Sequence, residues 1–302
     1  MLYNNLSGYL KGKYGKRLKK ICIDGGFTCP NRDGSLGVGG CIFCGERGAG
    51  EHIARNSSAD IIESITAQVR AGLEGAADDE GFIVYFQNFT NTYAAPEELK
   101  RRYDAALIDE RIKVLDIGTR PDCINEEIAA LIASYLTRVE VWVEFGLQTA
   151  SDKTAEIINR GYRKEVFSEA AALLEKYKIP MVVHLMLGLP SEGDEELRQT
   201  VEFISRHKLF GIKLHSVYVM EGTRLAEMYK SGLYTPITEE DYVARAAYVL
   251  KNIPSEVVIH RLTGDCPRDM LLAPLWSADK NGVIEKIRAA LASGLRHLGV
   301  TE

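Results

Sequence analysis

Short apolar runs alternate with amphipathic stretches along most of this 302-residue chain. Runs at residues 20–24, 82–87, 113–118, 140–145, 181–187 and 212–217 are rich in β-branched and aromatic side chains. They are too short for buried helices and predict strands. Between them, residues 58–71, 96–107, 126–135, 151–159, 164–177 and 195–207 carry helical spacing. Pro96 suits a first helical turn, where its missing N–H costs nothing. Thr149 and Ser151 are candidate helix caps. Six strands alternating with helices imply a parallel sheet. A doubly wound sheet and a barrel both satisfy that pattern. The chain is short for eight units plus a tail, so a six-unit, partly open α/β barrel fits better. From residue 224 the alternation fades into helical stretches at 224–230 and 239–251, an apolar run at 257–262, and a final helix near 283–298. The expected organisation is a barrel over residues 1–223, with a basic lead-in, and a mostly helical extension over 224–302 packed on it.

Composition adds little to this picture. Apolar residues make up 46% and charged residues 26%, ordinary values for a globular protein. No run of about 18 apolar residues suggests a membrane span. The N-terminal stretch lacks the apolar core of a secretory signal. The expectation is a cytoplasmic protein without a membrane partner. Net charge is −5, but its sign is uneven. The first 23 residues hold no acid, while Lys11, Lys13, Lys16, Arg17, Lys19 and Lys20 fall within ten residues. Such a patch suits RNA phosphates. It equally suits a solvated lead-in to the first strand.

The candidate chemistry changes the picture more. Four of the six cysteines fall within residues 22–44, and Cys29, Cys41 and Cys44 have C-x11-C-x2-C spacing in a glycine-rich loop. Clustered thiols in a reducing compartment point to metal or catalysis. Iron–sulfur clusters take soft thiolate ligands. Gly34, Gly37, Gly39, Gly40 and Gly45 let a backbone wrap closely. Three thiolates can hold a [4Fe–4S] cluster with one iron open. The competing reading is structural zinc with Cys22 as fourth ligand. Zinc sites usually pair two C-x2-C knuckles, and this region holds one.

This loop, with Glu144-Phe-Gly-Leu-Gln148 and Arg160-Gly161, resembles the radical S-adenosylmethionine (SAM) superfamily. Phe27-Thr-Cys-Pro-Asn-Arg-Asp-Gly34, Gln87-Asn-Phe-Thr-Asn-Thr-Tyr93, Thr119-Arg-Pro-Asp122 and Arg261-Leu-Thr-Gly-Asp265 look like its YhcC/YtqA-like branch. That branch is related to the catalytic subunit of the elongator complex, whose acetyltransferase domain has no counterpart of sufficient length here. The resemblance implies a partial (β/α)6 TIM-like barrel, a [4Fe–4S] cluster on Cys29, Cys41 and Cys44, and SAM on the open iron. It implies that Phe43 lies beside the adenine. Gln87, Thr90, Asn91 and Thr92 stand where most members carry a Gly-Gly-Glu-like motif for the SAM amino group. Gln148 would meet the ribose and Arg160 the SAM carboxylate, a pairing that suits a guanidinium fork. Asp116, Thr119 and Arg120 are further SAM candidates.

The resemblance also implies a tRNA substrate, with conversion of carboxymethylaminomethyl-uridine to aminomethyl-uridine at the wobble position. It implies an electron donor such as flavodoxin or ferredoxin. Two alternatives stay open: a radical SAM enzyme acting on a small metabolite or peptide, and a non-catalytic metal-binding protein that binds RNA. His184 and His215 fall within strand patterns, where alternation leaves their direction open. With Tyr85, Tyr93 and Tyr218 they are either packing residues or substrate contacts. Arg261 and Asp265 read as an ion pair across a turn or as a substrate contact. Trp276 covers the site or anchors the extension.

Overall fold

Seven parallel strands form one curled sheet in the computed structural model, which describes residues 2–48, 50–51, 53 and 60–293. The strands are β1 (Leu18–Ile23), β2 (Gly81–Phe86), β3 (Ile112–Thr119), β4 (Glu140–Gln148), β5 (Met181–Leu187), β6 (Gly211–Ser216) and β8 (Val258–Arg261). They follow one another in chain order, interrupted only by β7 (Val219–Met220). That short strand pairs antiparallel with β9 (Leu271–Ala273) in a separate ribbon. The six expected strands are therefore joined by a seventh. It comes from the apolar run at 257–262, which had been expected to lie in the extension.

Helices cross from strand to strand: α2 (Ile61–Leu73), α3 (Pro96–Ala106), α4 (Glu126–Ser134), α5 (Asp152–Ile157), α6 (Lys164–Lys176) and α7 (Asp194–Ser205). Three more, α8 (Arg224–Lys230), α9 (Glu239–Asn252) and α10 (Lys280–Ala292), complete the set after β6. Their starts follow local chemistry. Asn125 accepts from the Ile128 N–H at 2.9 Å, Ser151 accepts from Thr154, and Pro96 opens α3. Ser58, at the start of one expected helix, and the end of the last, near residue 298, lie outside the described residues. The main core fills the space between the sheet and these helices, with Val84, Leu115, Val143, Val183 and Leu214 pointing outward. The alternate strand positions face the lumen.

The lead-in contains a helix that periodicity did not reveal, α1 (Leu6–Tyr14). It packs under the N-terminal ends of the strands. Leu10 joins Leu18, Ile83, Val114, Trp142 and Val182 in a second apolar cluster that plugs the lumen floor. Glu140, at the start of β4, anchors α1. It accepts from Tyr9 Oη at 2.5 Å and Tyr14 Oη at 2.6 Å, and pairs with Lys13 at 2.9 Å. Asn5 bridges to Ile259 of β8, so the lead-in ties one edge of the open sheet to the other.

The basic patch is thus largely committed. Lys13 serves Glu140, Lys19 pairs with Glu80, Lys16 donates to the Asp79 carbonyl, and Lys20 points into the lumen at Asp116. The patch lies at the plugged end of the barrel.

Candidate active site

At the opposite end, the cysteine loop and the ends of β2 to β4 surround one cavity. Cys29, Cys41 and Cys44 all line it, with Phe43 beside the third. Arg32 N–H donates to the Cys29 carbonyl at 2.8 Å, and Cys44 N–H to the Cys41 carbonyl at 3.0 Å. Gly39 and Gly40 hold φ of +81° and +77°, where a side chain would strain the turn. Asn159 Nδ2 donates to the Gly40 carbonyl at 2.8 Å, Asn31 Nδ2 donates to the Asn159 carbonyl, and Ile42 N–H donates to the Ile158 carbonyl at 3.1 Å. The long gap between Cys29 and Cys41 is therefore used to reach the segment after α5 and return.

Cys41 and Cys44 share a hydrogen bond. That bond, outweighing burial, brings the Cys41 thiol down to about 7, with help from the Arg120 charge. The same bond and burial push Cys44 well up. Among the described residues, no three His, Cys, Asp or Glu side chains converge as one metal ion would require. Cysteines around a [4Fe–4S] cluster bind separate irons, so three thiols along one wall suit a cluster better than a lone zinc. Cys22 lies apart from the loop, on β1 near Lys20.

Gln87, Thr90, Thr119, Gln148 and Arg160 line the same cavity. The buried Thr90 hydroxyl and Gln148 Oε1 have no hydrogen-bond partner among the described residues. Gln148 stands at φ +63°, beside an irregularity in the β4–β5 pairing. Asn91 and Thr92 lie behind the wall. Asn91 Nδ2 donates to the carbonyls of Phe86 and Gly118 at 3.0 and 2.7 Å. Thr92 Oγ1 meets Thr119 Oγ1 at 2.6 Å and donates to the Cys123 carbonyl at 2.7 Å. Arg160 is buried, and its fork is mostly taken. Nε donates to the Tyr162 carbonyl at 3.0 Å, and Nη1 to those of Leu147 and Thr149, both at 2.6 Å. Only Nη2 lacks a hydrogen bond, and it stands 3.6 Å from Asp152 Oδ1 in an ion pair, so the guanidinium offers one nitrogen at most rather than two. Arg120 is held by Asp122 and by the Arg160 carbonyl.

One layer deeper, charged side chains stand on the strands. Lys20 pairs with Asp116 at 2.8 Å. Lys213 and His184 Nε2 both meet Glu144 Oε2, at 2.5 and 2.9 Å. Tyr85 lies between the two lysines, whose ammonium groups stand 4.4 and 4.2 Å from its ring centroid. The buried Lys213 contact contributes on the order of 2 kcal/mol, and the partly exposed Lys20 one about 0.5–1 kcal/mol. His184 and His215 stack with centroids 5.1 Å apart. Glu144 stays ionised: burial opposes its charge, but Lys213 and the His184 hydrogen bond hold it well below the usual carboxylate range. Burial, and then the Glu144 charge, push Asp116 up to about 7. Burial brings Lys213 down to about 8 against the pull of Glu144, and keeps both histidines neutral.

Tyr85, His184, His215 and Tyr218 all line the cavity, so the strand candidates face the lumen. Tyr93 does not; its hydroxyl donates to Ser35 Oγ at 2.7 Å. Trp276 donates to the Ile237 carbonyl at 3.2 Å and packs against Tyr242, anchoring the extension. The sequence pattern assigned Glu144 no role beyond its motif, left Lys213 unmarked and put Lys20 in a basic patch. Their signal was a charge in the middle of an otherwise apolar strand, where burial needs a partner.

A curled α/β half-barrel with three cysteines at its mouth and a charged lumen defines a cluster-dependent enzyme class. Residues 29–204 match the Radical SAM superfamily and residues 210–293 the Radical SAM C-terminal domain. The chain belongs to the radical SAM superfamily, and its cofactors are a [4Fe–4S] cluster and SAM. It is 34% identical to YtqA of Bacillus subtilis (strain 168) over 289 residues, covering 96% of this chain and 89% of that protein. It is 36% identical to YhcC of Escherichia coli (strain K12) over 286 residues, 94% and 91% of the two chains. A tRNA uridine(34) acetyltransferase of Dehalococcoides mccartyi is 32% identical over 173 residues, 56% of this chain and 37% of that one. The solved archaeal Elp3 of Methanocaldococcus infernus shares the fold, with a TM-score of 0.66 at 19% identity, over 92% of this chain and 64% of that one. The chain falls in the YhcC/YtqA-like, elongator-related branch. Among the described residues no helix is long and apolar enough to cross a membrane.

Proposed function

We propose that Cys29, Cys41 and Cys44 hold the cluster and that the enzyme acts on tRNA. In this reading it converts 5-carboxymethylaminomethyl-uridine at the wobble position to 5-aminomethyl-uridine. When bound, the reduced cluster and SAM together supply a 5′-deoxyadenosyl radical for hydrogen abstraction. The electron comes from a small donor protein of the flavodoxin or ferredoxin kind. Phe43 packs against the adenine, Thr90 and Gln148 offer unpaired oxygens to SAM, and Arg160 Nη2 meets its carboxylate. The α1 plug and its apolar cluster close the lumen at the end away from the cysteines. The division into a barrel (1–223) and an extension (224–302) belongs to the same reading, with the extension supplying β8.

The observation that carries the reading is one cavity running from the cysteine rim down to Glu144 and His184, with Lys213 paired to Glu144 behind them. Its tRNA part is supported by the name of the uridine(34) relative. The basic lead-in adds nothing to it, because that segment closes the far end of the barrel.

Mass spectrometry of tRNA nucleosides from a strain lacking the gene tests the proposal. Aminomethyl-uridine and its methylated product should vanish while carboxymethylaminomethyl-uridine accumulates. An unchanged wobble profile overturns the tRNA reading.

A further inference from the structure

The lumen floor holds more positive charge than its own carboxylates neutralise. Lys20 and Lys213 are each paired, with Asp116 and Glu144. Arg261 forms no salt bridge or side-chain hydrogen bond among the described residues, and Asp265, its neighbour in the turn, pairs with Lys280. A register shift in the β6–β8 pairing sets Arg261 opposite Lys213, while Ile259 pairs with Ile212 on the outward face. The Arg261 charge is accordingly felt at Tyr85, His184, Lys213 and His215. Lys20, Lys213 and Arg261 therefore face the Glu144 carboxylate and an Asp116 carboxyl that titrates near neutrality, and the imidazoles are neutral.

Unused acceptors surround the same space. Glu144 Oε1 and His215 Nε2 are buried without a fixed hydrogen-bond partner, and below about pH 7 Asp116 carries a proton that it can donate to Glu144. Asp116 and Glu144 are 0% and 1% exposed, so water does not readily satisfy them. Leaving such atoms unpaired is costly. An occupant that satisfies both halves carries an anion for the guanidinium and an N–H donor close by.

We propose that this floor is a subsite for an amino-acid-like group. Its carboxylate lies on Arg261 and its amine nitrogen donates toward Glu144 and His215. The inference rests on the tRNA reading, in which the carboxymethylaminomethyl arm is such a group. It makes Arg261 the residue that separates substrates bearing the terminal carboxylate from those lacking it.

The test is ligand-observed NMR on the anaerobic, cluster-loaded enzyme, with N-methylglycine and N-methylglycinamide as probes. N-methylglycine should bind about 10- to 100-fold more tightly than the amide, the span expected of a hydrogen bond to a charged group. R261Q should remove that preference, and R261K should retain part of it because a point charge lacks the fork. Melting temperature and cluster absorbance check that each variant is folded. Equal binding of the two probes, binding of neither, or a preference that survives R261Q overturns the subsite. The first two outcomes need only the wild-type enzyme. The tRNA reading fails separately, if wild-type enzyme binds N-methylglycine but leaves purified carboxymethylaminomethyl-uridine tRNA unchanged.

Discussion

The rim and the floor of the cavity are both polar, yet they use polarity differently. At the rim, side chains hold backbone. Asn31, Asn91, Thr92, Arg120, Asn159 and Arg160 donate to main-chain carbonyls, and little of their capacity faces the cavity. On the floor, Lys20, Asp116, Glu144, His184 and Lys213 bond to one another. The difference follows from the backbone beneath. Loops leave N–H and C=O groups that need partners. Strands satisfy theirs in the ladder, so the side chains they carry remain available to one another and to a ligand.

The sharpest break of this contrast is at the rim thiols. Cys41→Ala should abolish the brown cluster absorbance and 5′-deoxyadenosine formation together; a full complement of iron in that variant would remove the assignment. Next comes the floor. Lys213 and Glu144 are only 5% and 0% exposed in their side chains, so Lys213→Met strands a buried charge and should cost about 3–5 kcal/mol in urea unfolding. Replacing both partners by apolar residues should recover much of that loss. A smaller effect is expected behind the rim. Thr92→Val should cost about 1–3 kcal/mol through its two lost hydrogen bonds, with SAM affinity changed less than by Thr90→Val. Equal loss of SAM binding in the two would move Thr92 into the cofactor site.

The most gradual effect is a slope. Asp116 is raised from 3.8 to about 7 by burial first. Between those values the folded carboxyl keeps a proton that the unfolded chain has released, so stability falls as pH rises from about 4 to about 7 and then levels. Asp116→Asn should flatten that part of the curve in pH-resolved thermal melts. An identical slope in the variant would place the proton elsewhere.

Much of this could be read from residue order, but unevenly. Strand spacing revealed six of the seven barrel strands because each is a run of outward apolar residues with a helix behind it. The seventh is four residues long and follows two helices of the extension, so only its pairing with β6 identifies it. The cysteines were legible from spacing alone. Arg160 stood out by its spacing from Gln148, but the three carbonyls that occupy it come from tertiary folding. Helix α1 carries two glycines and a single buried residue, Leu10. Its reason to form is Glu140, more than a hundred positions away. Lys20 misled for the same reason: in the sequence it belongs to a basic run, and in space it belongs to Asp116.

The tie between Asn5 and Ile259 has a consequence for how the chamber is completed. Asn4 Nδ2 also donates to the Glu256 carbonyl, across 252 positions of chain. Contacts of such separation form late, because the intervening loop must close before they return anything. Asn4 and Asn5 therefore wait for a segment about 250 positions later in the chain. Until they meet, the lower lumen stands open between its two sheet edges. A closed floor beneath the reaction chamber is a property the molecule acquires at the end of folding.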